Sequence, residues 1–268
     1  MKILIKGAGD LASGIAVRLV NAGYDVLMTE IAVPTTVRRT VAFSRAVYEQ
    51  EAEVEGIPGK LVVSIGEAEE IQRKGGVPVI VDEMAAIRER YYPEAVVDAI
   101  VAKKNLGTSI GDAPLVIGVG PGFEAGRDCH AVVETMRGHY LGRVIRKGSA
   151  IPNTGTPGNI GGYTVERIIR ANADGVFKPV ARIGDMVEVN QLIAYSGKEP
   201  VCAGMTGMVR GMLQQGVMVH KGMKCGDIDA RCNLEHCFTV SDKARAIGGG
   251  VLEAVSCYEH KNQNGGKV

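Results

Sequence analysis

KILIKGAGDLASGIAVRLVNAGYDVLMTE, residues 2–30, decides how the rest of the chain is read. Ile3-Leu4-Ile5 is an apolar run that reads as a buried strand. Gly7-Ala8-Gly9 follows, with Ala12 and Gly14 beyond it. Leu11, Ile15, Leu19 and Val20 then fall on one face of a helix. Val26-Leu27-Met28 is a second strand, and it ends in Glu30. Strand, glycine-rich turn, helix, strand and terminal acid form the layout of a dinucleotide-binding βαβ unit. Gly7 permits the tight turn, Gly9 lets backbone amides approach a phosphate, and Ala12 keeps the helix close to the strand. The helix N-terminus offers unpaired amides and a positive dipole end to an anion. Asp10 stands where a pyrophosphate would approach, either capping the helix or repelling the phosphate. Glu30 at the end of the second strand would accept hydrogen bonds from a ribose diol and repel a 2′-phosphate. Its alternative is an ion pair with Arg38 or Arg39.

The composition narrows the field. At 268 residues the chain can bury a full core and build two domains. A net charge of +1 and few aromatics, with no Trp, argue against nucleic-acid binding. The 36 glycines are about twice the usual share, so many positions are turns or close approaches. No apolar run is long enough to span a membrane. The sequence enters a strand at once, without a signal peptide. Six cysteines in a chain this long predict reduced thiols and a cytoplasmic protein rather than a disulfide scaffold.

Beyond Glu30, Pro34 to Thr40 (PTTVRRT) suits an exposed loop entering a helix, and Arg38 and Arg39 could hold a phosphate or simply form a solvated basic face. Gly56 to Ser64 reads as a short strand and Glu67 to Lys74 as a helix. Val77 to Val81, Val96 to Ala102 and Pro114 to Val119 read as strands, the last running into Gly120-Pro121-Gly122. Alternating strands and helices predict a parallel sheet covered on both faces, with ligands at its carboxyl edge. Gly7, Ala8, Gly9, Asp10, Glu30, Gly120 and Gly122, with Arg137 and the arginine pair, are therefore the candidate cofactor contacts. His139 is the catalytic candidate, although no acid–base pair stands beside the glycine turn.

Gly148 to Gly162 is a glycine-rich connection, read either as a phosphate cradle or as a linker, before a helix over Thr164 to Arg170. The helical period then stops. Gly175, Gly184, Val187 and Asn190 recur at a constant offset as Gly207, Gly216, Val219 and Gly222. Two such halves resemble the barrel-sandwich hybrid of biotinyl and lipoyl carrier domains. The flanks of Lys198 do not match a carrier lysine, which favours a docking or lid module. Cys225, Cys232 and Cys237 beside His236 supply soft metal ligands, but without CxxC, and buried thiols are the plainer reading. Ser241 to Glu253 reads as a capped C-terminal helix folded back on the first domain, or, through Lys243, Arg245 and Gly248 to Gly250, as an anion site. The predicted domains are 1–150 (Rossmann-like α/β), 151–172 (connection and helix), 173–231 (barrel-sandwich hybrid) and 232–268, returning to the first.

KGAGDLASG at 6–14, TEIAVPTTVRRTVAFSRAVYE at 29–49, APLVIGVGPGFEAG at 113–126, AVVETMRGHYLGRVI at 131–145, PNTGTPGNIGGYTVERI at 152–168 and SDKARAIGGGVLEA at 241–254 occur in that order. Together they resemble the YqeB family of selenium-dependent molybdenum hydroxylase system proteins, over nearly the whole chain. The resemblance implies a maturation role, similar in kind to that of XdhC-type factors that bind and insert molybdenum cofactor. It implies a molybdopterin cytosine dinucleotide as ligand, ahead of NAD, and a molybdenum hydroxylase apoenzyme as partner. A homo-oligomer is a further expectation. An NAD(P)-dependent oxidoreductase and a non-catalytic docking scaffold are the other function classes.

Overall fold

The computed structural model describes residues 1–155, 158 and 161–263. They form a mixed α/β protein with one large mixed sheet and further antiparallel sheets. The chain divides into a first unit of Met1–Ala32, Phe43–Thr154 and Val240–Val268, and a second of Val33–Ala42 and Gly155–Thr239. The expected boundaries at 150 and 231 fall instead at 154 and 239, and one early segment changes unit. Val33–Ala42 lies in the second unit because Met212 N–H donates to the Val37 carbonyl at 2.8 Å, tying the segment to a distant strand. Residues 232–239 also stay in the second unit, and the chain returns to the first only from Val240 onward.

The strands of the first unit are β1 (Lys2–Lys6), β2 (Asp25–Glu30), β3 (Glu51–Val54), β4 (Ile57–Val62), β5 (Val77–Val81), β6 (Ala95–Asp98), β7 (Leu115–Val119), β8 (Glu124–Ala125), β9 (Ala131–Val133), β10 (Val144–Ile145) and β11 (Gly148–Ser149). The helices are α1 (Asp10–Asn21), α2 (Ala46–Glu49), α3 (Ile65–Arg73), α4 (Arg88–Tyr91), α5 (Glu235–Phe238, second unit) and α6 (Asp242–Gln263). Nine strands pair in the order β10-β9-β7-β6-β1-β2-β5-β4-β3, while β8 and β11 form a separate ribbon. From β9 through β4 every pairing is parallel, and only the edge strands β3 and β10 run antiparallel. Parallel strands covered on both faces are apolar throughout. In β1, Ile3 and Ile5 pack with Ile15, Leu19, Ile247 and Val251, whereas Leu4 faces Ile87, Tyr91 and Val116.

The run of small residues in α6 is a packing device. A side chain at Gly14 would meet Ala244 Cβ at 2.6 Å and Val240 Cγ1 at 3.0 Å, and one at Gly248 would meet the Gly14 carbonyl oxygen at 2.9 Å. Residue 14 thus faces 240 and 244, and residue 18 faces 248, so α1 and α6 run side by side in the same direction. Packing thus accounts for Gly248 and Gly250 without a ligand, in keeping with a C-terminal helix folded back on the first domain. Gly248 and Gly250 are small because α1 and the Gly142 carbonyl press on them, and Gly249 faces open space.

The second unit contains β12 (Ile168–Arg170), β13 (Gly175–Pro179), β14 (Met186–Val187), β15 (Leu192–Ser196), β16 (Glu199–Cys202), β17 (Gly207–Met212), β18 (Met218–Val219) and β19 (Lys224–Asp229). They make two antiparallel sheets, β12-β19-β17-β14 and β16-β15-β13-β18. The sequence repeat is a structural one. Gly175 pairs with Val219 and Val187 with Gly207, so each half lends a strand to the other. Gly184 and Gly216 share positive φ, as do Asn190 and Gly222, which is why the repeat preserves these positions. The helix expected over Thr164 to Arg170 is instead turns followed by β12, because Ile168 and Ile169 pair with β19. Of the glycine-rich connection, Thr156, Pro157, Asn159 and Ile160 lie outside the described residues.

Candidate functional site

The carboxyl ends of the parallel strands carry most of the chain's candidate ligand groups. Gly7 leaves β1 at φ +90, a conformation that disfavours a side chain, and a Cβ there would stand 3.3 Å from the Ile100 backbone. Its N–H donates to the Thr29 carbonyl. The Ala8 carbonyl accepts from Ser44 N–H at 2.9 Å and from Ser13 Oγ at 3.2 Å, so the turn is held from beneath. Glu30 fixes its other side. One carboxylate oxygen accepts from Ala8 N–H and the other from Ile31 N–H, both at 2.9 Å. Burial pushes the Glu30 pKa up, and these two N–H groups partly restrain it. Each oxygen keeps a further lone pair, so a ribose contact stays compatible with this arrangement. Glu30→Ala is expected to lower stability by about 1–3 kcal/mol, because it orphans two backbone donors. Urea unfolding of the variant checks this.

Gly9 begins α1 without a side-chain cap. The helix therefore presents its first-turn amides and the positive end of its dipole beside the turn. Because α6 runs in the same direction, its first turn lies at the same end, capped by Ser241 Oγ accepting from Ala244 N–H. Lys243 sits in that turn. Burial lowers its pKa and the Arg137 charge lowers it further, while Asp10, Glu134 and Asp242 pull it up. Lys243 thus lies in the field of the Asp10 carboxylate at the start of α1. Glu134 is 2% exposed, at the end of β9, and accepts from the N–H groups of Thr135, Met136 and Ile151 at 2.7, 2.7 and 2.8 Å. Arg137 forms a two-pronged pair with Asp242 at 2.6 and 2.9 Å.

The other candidates have different surroundings. A side chain at Gly120 would meet Thr135 Oγ1 at 2.9 Å, and one at Gly122 the Lys104 backbone at 2.6 Å. Gly122 and Gly7 both border the segment after β6. Arg38 is buried in the second unit and donates to the carbonyls of His236 and Thr239. Arg39 donates there to the Met212 carbonyl and to Gln214 Oε1. These guanidinium contacts hold chain together, which sequence spacing could not show. His139 is exposed, with its ring set edge-on to Tyr140 at 5.0 Å. Cys225 and Cys237 are buried and Cys232 is exposed. Their sulfurs contact different carbonyls, those of Met223 for Cys225, Val209 for Cys237, and Asp229 and Ala230 for Cys232. Burial pushes the Cys225 thiol up to about 11 and raises that of Cys237. Such thiols are poor metal ligands and poor nucleophiles. Among the described residues no three His, Cys, Asp or Glu side chains group so as to hold a metal, and no helix is long and apolar enough to cross a membrane. Lys243 was visible in the sequence as a cation ahead of the glycines, but its position beside α1 follows only from the packing of α6.

A parallel sheet with a glycine turn at its carboxyl edge, joined to a repeat-built antiparallel β unit, defines the structural class. The chain is homologous to an uncharacterised protein YqeB of Escherichia coli (strain K12), with 50% identity over 259 residues, and this supports the YqeB family name. The match covers 97% of this chain and 48% of that protein, so the chain spans about half the length of its relative. No family model matches the sequence. Among solved structures, an aspartoacylase family protein from Mesorhizobium loti aligns at TM-score 0.25 and 11% identity, covering 79% of this chain and 58% of that one. The ectoine utilization protein EutE (DoeB) from Ruegeria pomeroyi aligns at TM-score 0.25 and 11% identity, covering 85% and 84%. Likenesses at this level carry no argument about function.

Proposed function

We propose that this chain is an accessory protein of a selenium-dependent molybdenum hydroxylase system, and that it binds a molybdopterin dinucleotide for maturation of the enzyme or insertion of the cofactor. In this reading the first unit is a Rossmann-like domain and the second a barrel-sandwich hybrid that docks the hydroxylase apoenzyme in the cytoplasm. The observation that carries it is the meeting of the glycine turn with the first turns of two same-direction helices and Lys243. A diphosphate suits that ground, since uncapped amides, two dipole ends and an ammonium favour negative charge. Asp10 opposes a phosphate, and Lys243 offsets it. The raised thiols of Cys225 and Cys237 do not suit molybdenum ligation, so the chain's share is to bind and orient the nucleotide end. The cofactor brings its own redox-active metal, and the protein needs no acid–base pair for this task.

Lys243→Glu tests the proposal. Lys243→Glu places a carboxylate among Asp10, Glu134 and Asp242, so its melting temperature should fall, and Lys243→Gln, which adds no charge and should hold its melting temperature, is read beside it. Affinity for cytidine diphosphate, measured calorimetrically at low salt, should fall by about tenfold or more, the scale of a hydrogen bond to a charged group. Unchanged affinity would remove Lys243 and this edge from the site.

A further inference from the structure

Lys6 ends β1 one residue before the glycine turn and is only 5% exposed. Its ammonium has three N–H donors. Thr108 Oγ1 takes one at 2.6 Å. Asp98 Oδ2, at 3.6 Å, balances the charge but lies beyond hydrogen-bond reach. Asp98 is itself satisfied, since Thr108 Oγ1 donates to Oδ2 at 2.6 Å and Ile100 N–H donates to Oδ1 at 3.2 Å. Buried ammonium donors without acceptors are costly. Lys6 lines a cavity of about 240 Å³ together with Met84, Ala85, Arg88, Glu89 and Asp112, among others.

The cavity's chemistry selects its ligand. Lys6 and Arg88 face three carboxylates, Asp98, Asp112 and Glu89, so a further anion is disfavoured. Arg88 is already engaged with Asp112 at 3.5 Å. What fits is a neutral ring that offers an acceptor to Lys6 and N–H donors to carboxylates, between walls of Met84 and Ala85. Gly107 also lines the cavity, and its loop is fixed by a side chain. Asn105 Oδ1 accepts from the N–H groups of Gly107 and Thr108, and Asn105 Nδ2 donates to the Thr108 carbonyl. The same loop holds Val101 and Lys103 at φ 57 and 64, strain of the kind that gathers at ligand sites.

Alternation along β1 puts Lys6 on the face of Leu4, with Ala85, while the glycine turn leads to α1 on the other face. A dinucleotide at such a strand end has one half on each side. We infer that the Lys6 cavity takes the neutral heterocyclic head of the ligand, a pterin ring, with its carbonyl oxygen on Lys6 Nζ and its amine toward Asp112 and Glu89. This rests on the cofactor reading above.

Neopterin and cytidine diphosphate, titrated separately into the full chain by calorimetry, test it. Neopterin should bind the wild type. It should bind about tenfold more weakly to Lys6→Met combined with Asp98→Asn, which removes both buried charges together, and to Asp112→Asn, each loss being the size of one charged hydrogen bond. Cytidine diphosphate affinity should stay within about twofold in the same variants, a difference smaller than one such bond. If neopterin fails to bind while the diphosphate binds, the inference falls and the proposed function stands. If neither binds, both fall. Should the double variant fail to fold by circular dichroism, Asp112→Asn and Glu89→Gln decide, and undiminished neopterin affinity in both overturns the inference.

Discussion

Exchanging Asp229 for asparagine is expected to destabilise the second unit by about 3–5 kcal/mol, the cost of breaking one side of a buried ion pair. Asp229 is 3% exposed at the end of β19. It accepts from the Arg231 backbone N–H and Nε at 3.0 and 2.9 Å and from Arg231 Nη2 at 2.6 Å, and Arg210 Nη1 lies at 3.7 Å. Arg210 is 6% exposed and sits at an irregularity in β17, between Val209 and Gly211, that takes it out of the regular pairing. Without the carboxylate its buried guanidinium loses the ion pair it makes at 3.7 Å. The pH dependence carries the same signature. Burial alone would raise the Asp229 pKa, but the Arg231 hydrogen bonds and the charges of Arg231 and Arg210 outweigh it and hold it at about 2. An unfolded aspartate titrates near 3.9. The contribution is thus complete above pH ~4 and lost as pH falls toward 2, an acid limb of about 2 kcal/mol. Urea unfolding between pH 2 and 7 should show that limb in the wild type and its loss in Asp229→Asn. Parallel pH profiles would contradict the assignment.

Gly250→Val should cost about 3 kcal/mol, the upper end of overpacking, while Gly249→Ala, its neighbour, should stabilise by about 0.5–1 kcal/mol. A side chain at Gly250 runs into the Gly142 carbonyl and would stand 2.9 Å from Val133 Cγ1. Position 249 meets nothing within 4 Å, and there alanine gains helix propensity without a clash. Thermal melts of the two variants should move in opposite directions. Equal shifts would mean that α6 does not press on Gly142 and Val133 as described.

These two predictions mark what the sequence carries and what it does not. The first βαβ unit was legible because its signals are local. Strand, turn and helix periods lie within residues 2–30, and the structure puts β1, α1 and β2 there. The repeat beyond Gly175 was legible because matched positions need matched backbone. Val33–Ala42 was misplaced because its partners, the carbonyls of His236 and Thr239, lie some 200 positions along the chain, beyond any local pattern. The three glycines of α6 invited an anion reading, since sequence cannot separate a glycine needed for a ligand from one needed for a neighbouring helix. Lys6 gave no signal, because a lysine at a strand end is ordinarily solvated. Only the fold shows it buried against Thr108 and Asp98.

The central claim is that a dinucleotide's diphosphate sits where α1 and α6 begin. A crystal structure of the full chain soaked with molybdopterin cytosine dinucleotide tests it most directly. The account predicts diphosphate density beside Gly9 and Asp10, within reach of Lys243. Ordered diphosphate elsewhere on the chain, or a soaked crystal with that edge bare, would contradict it.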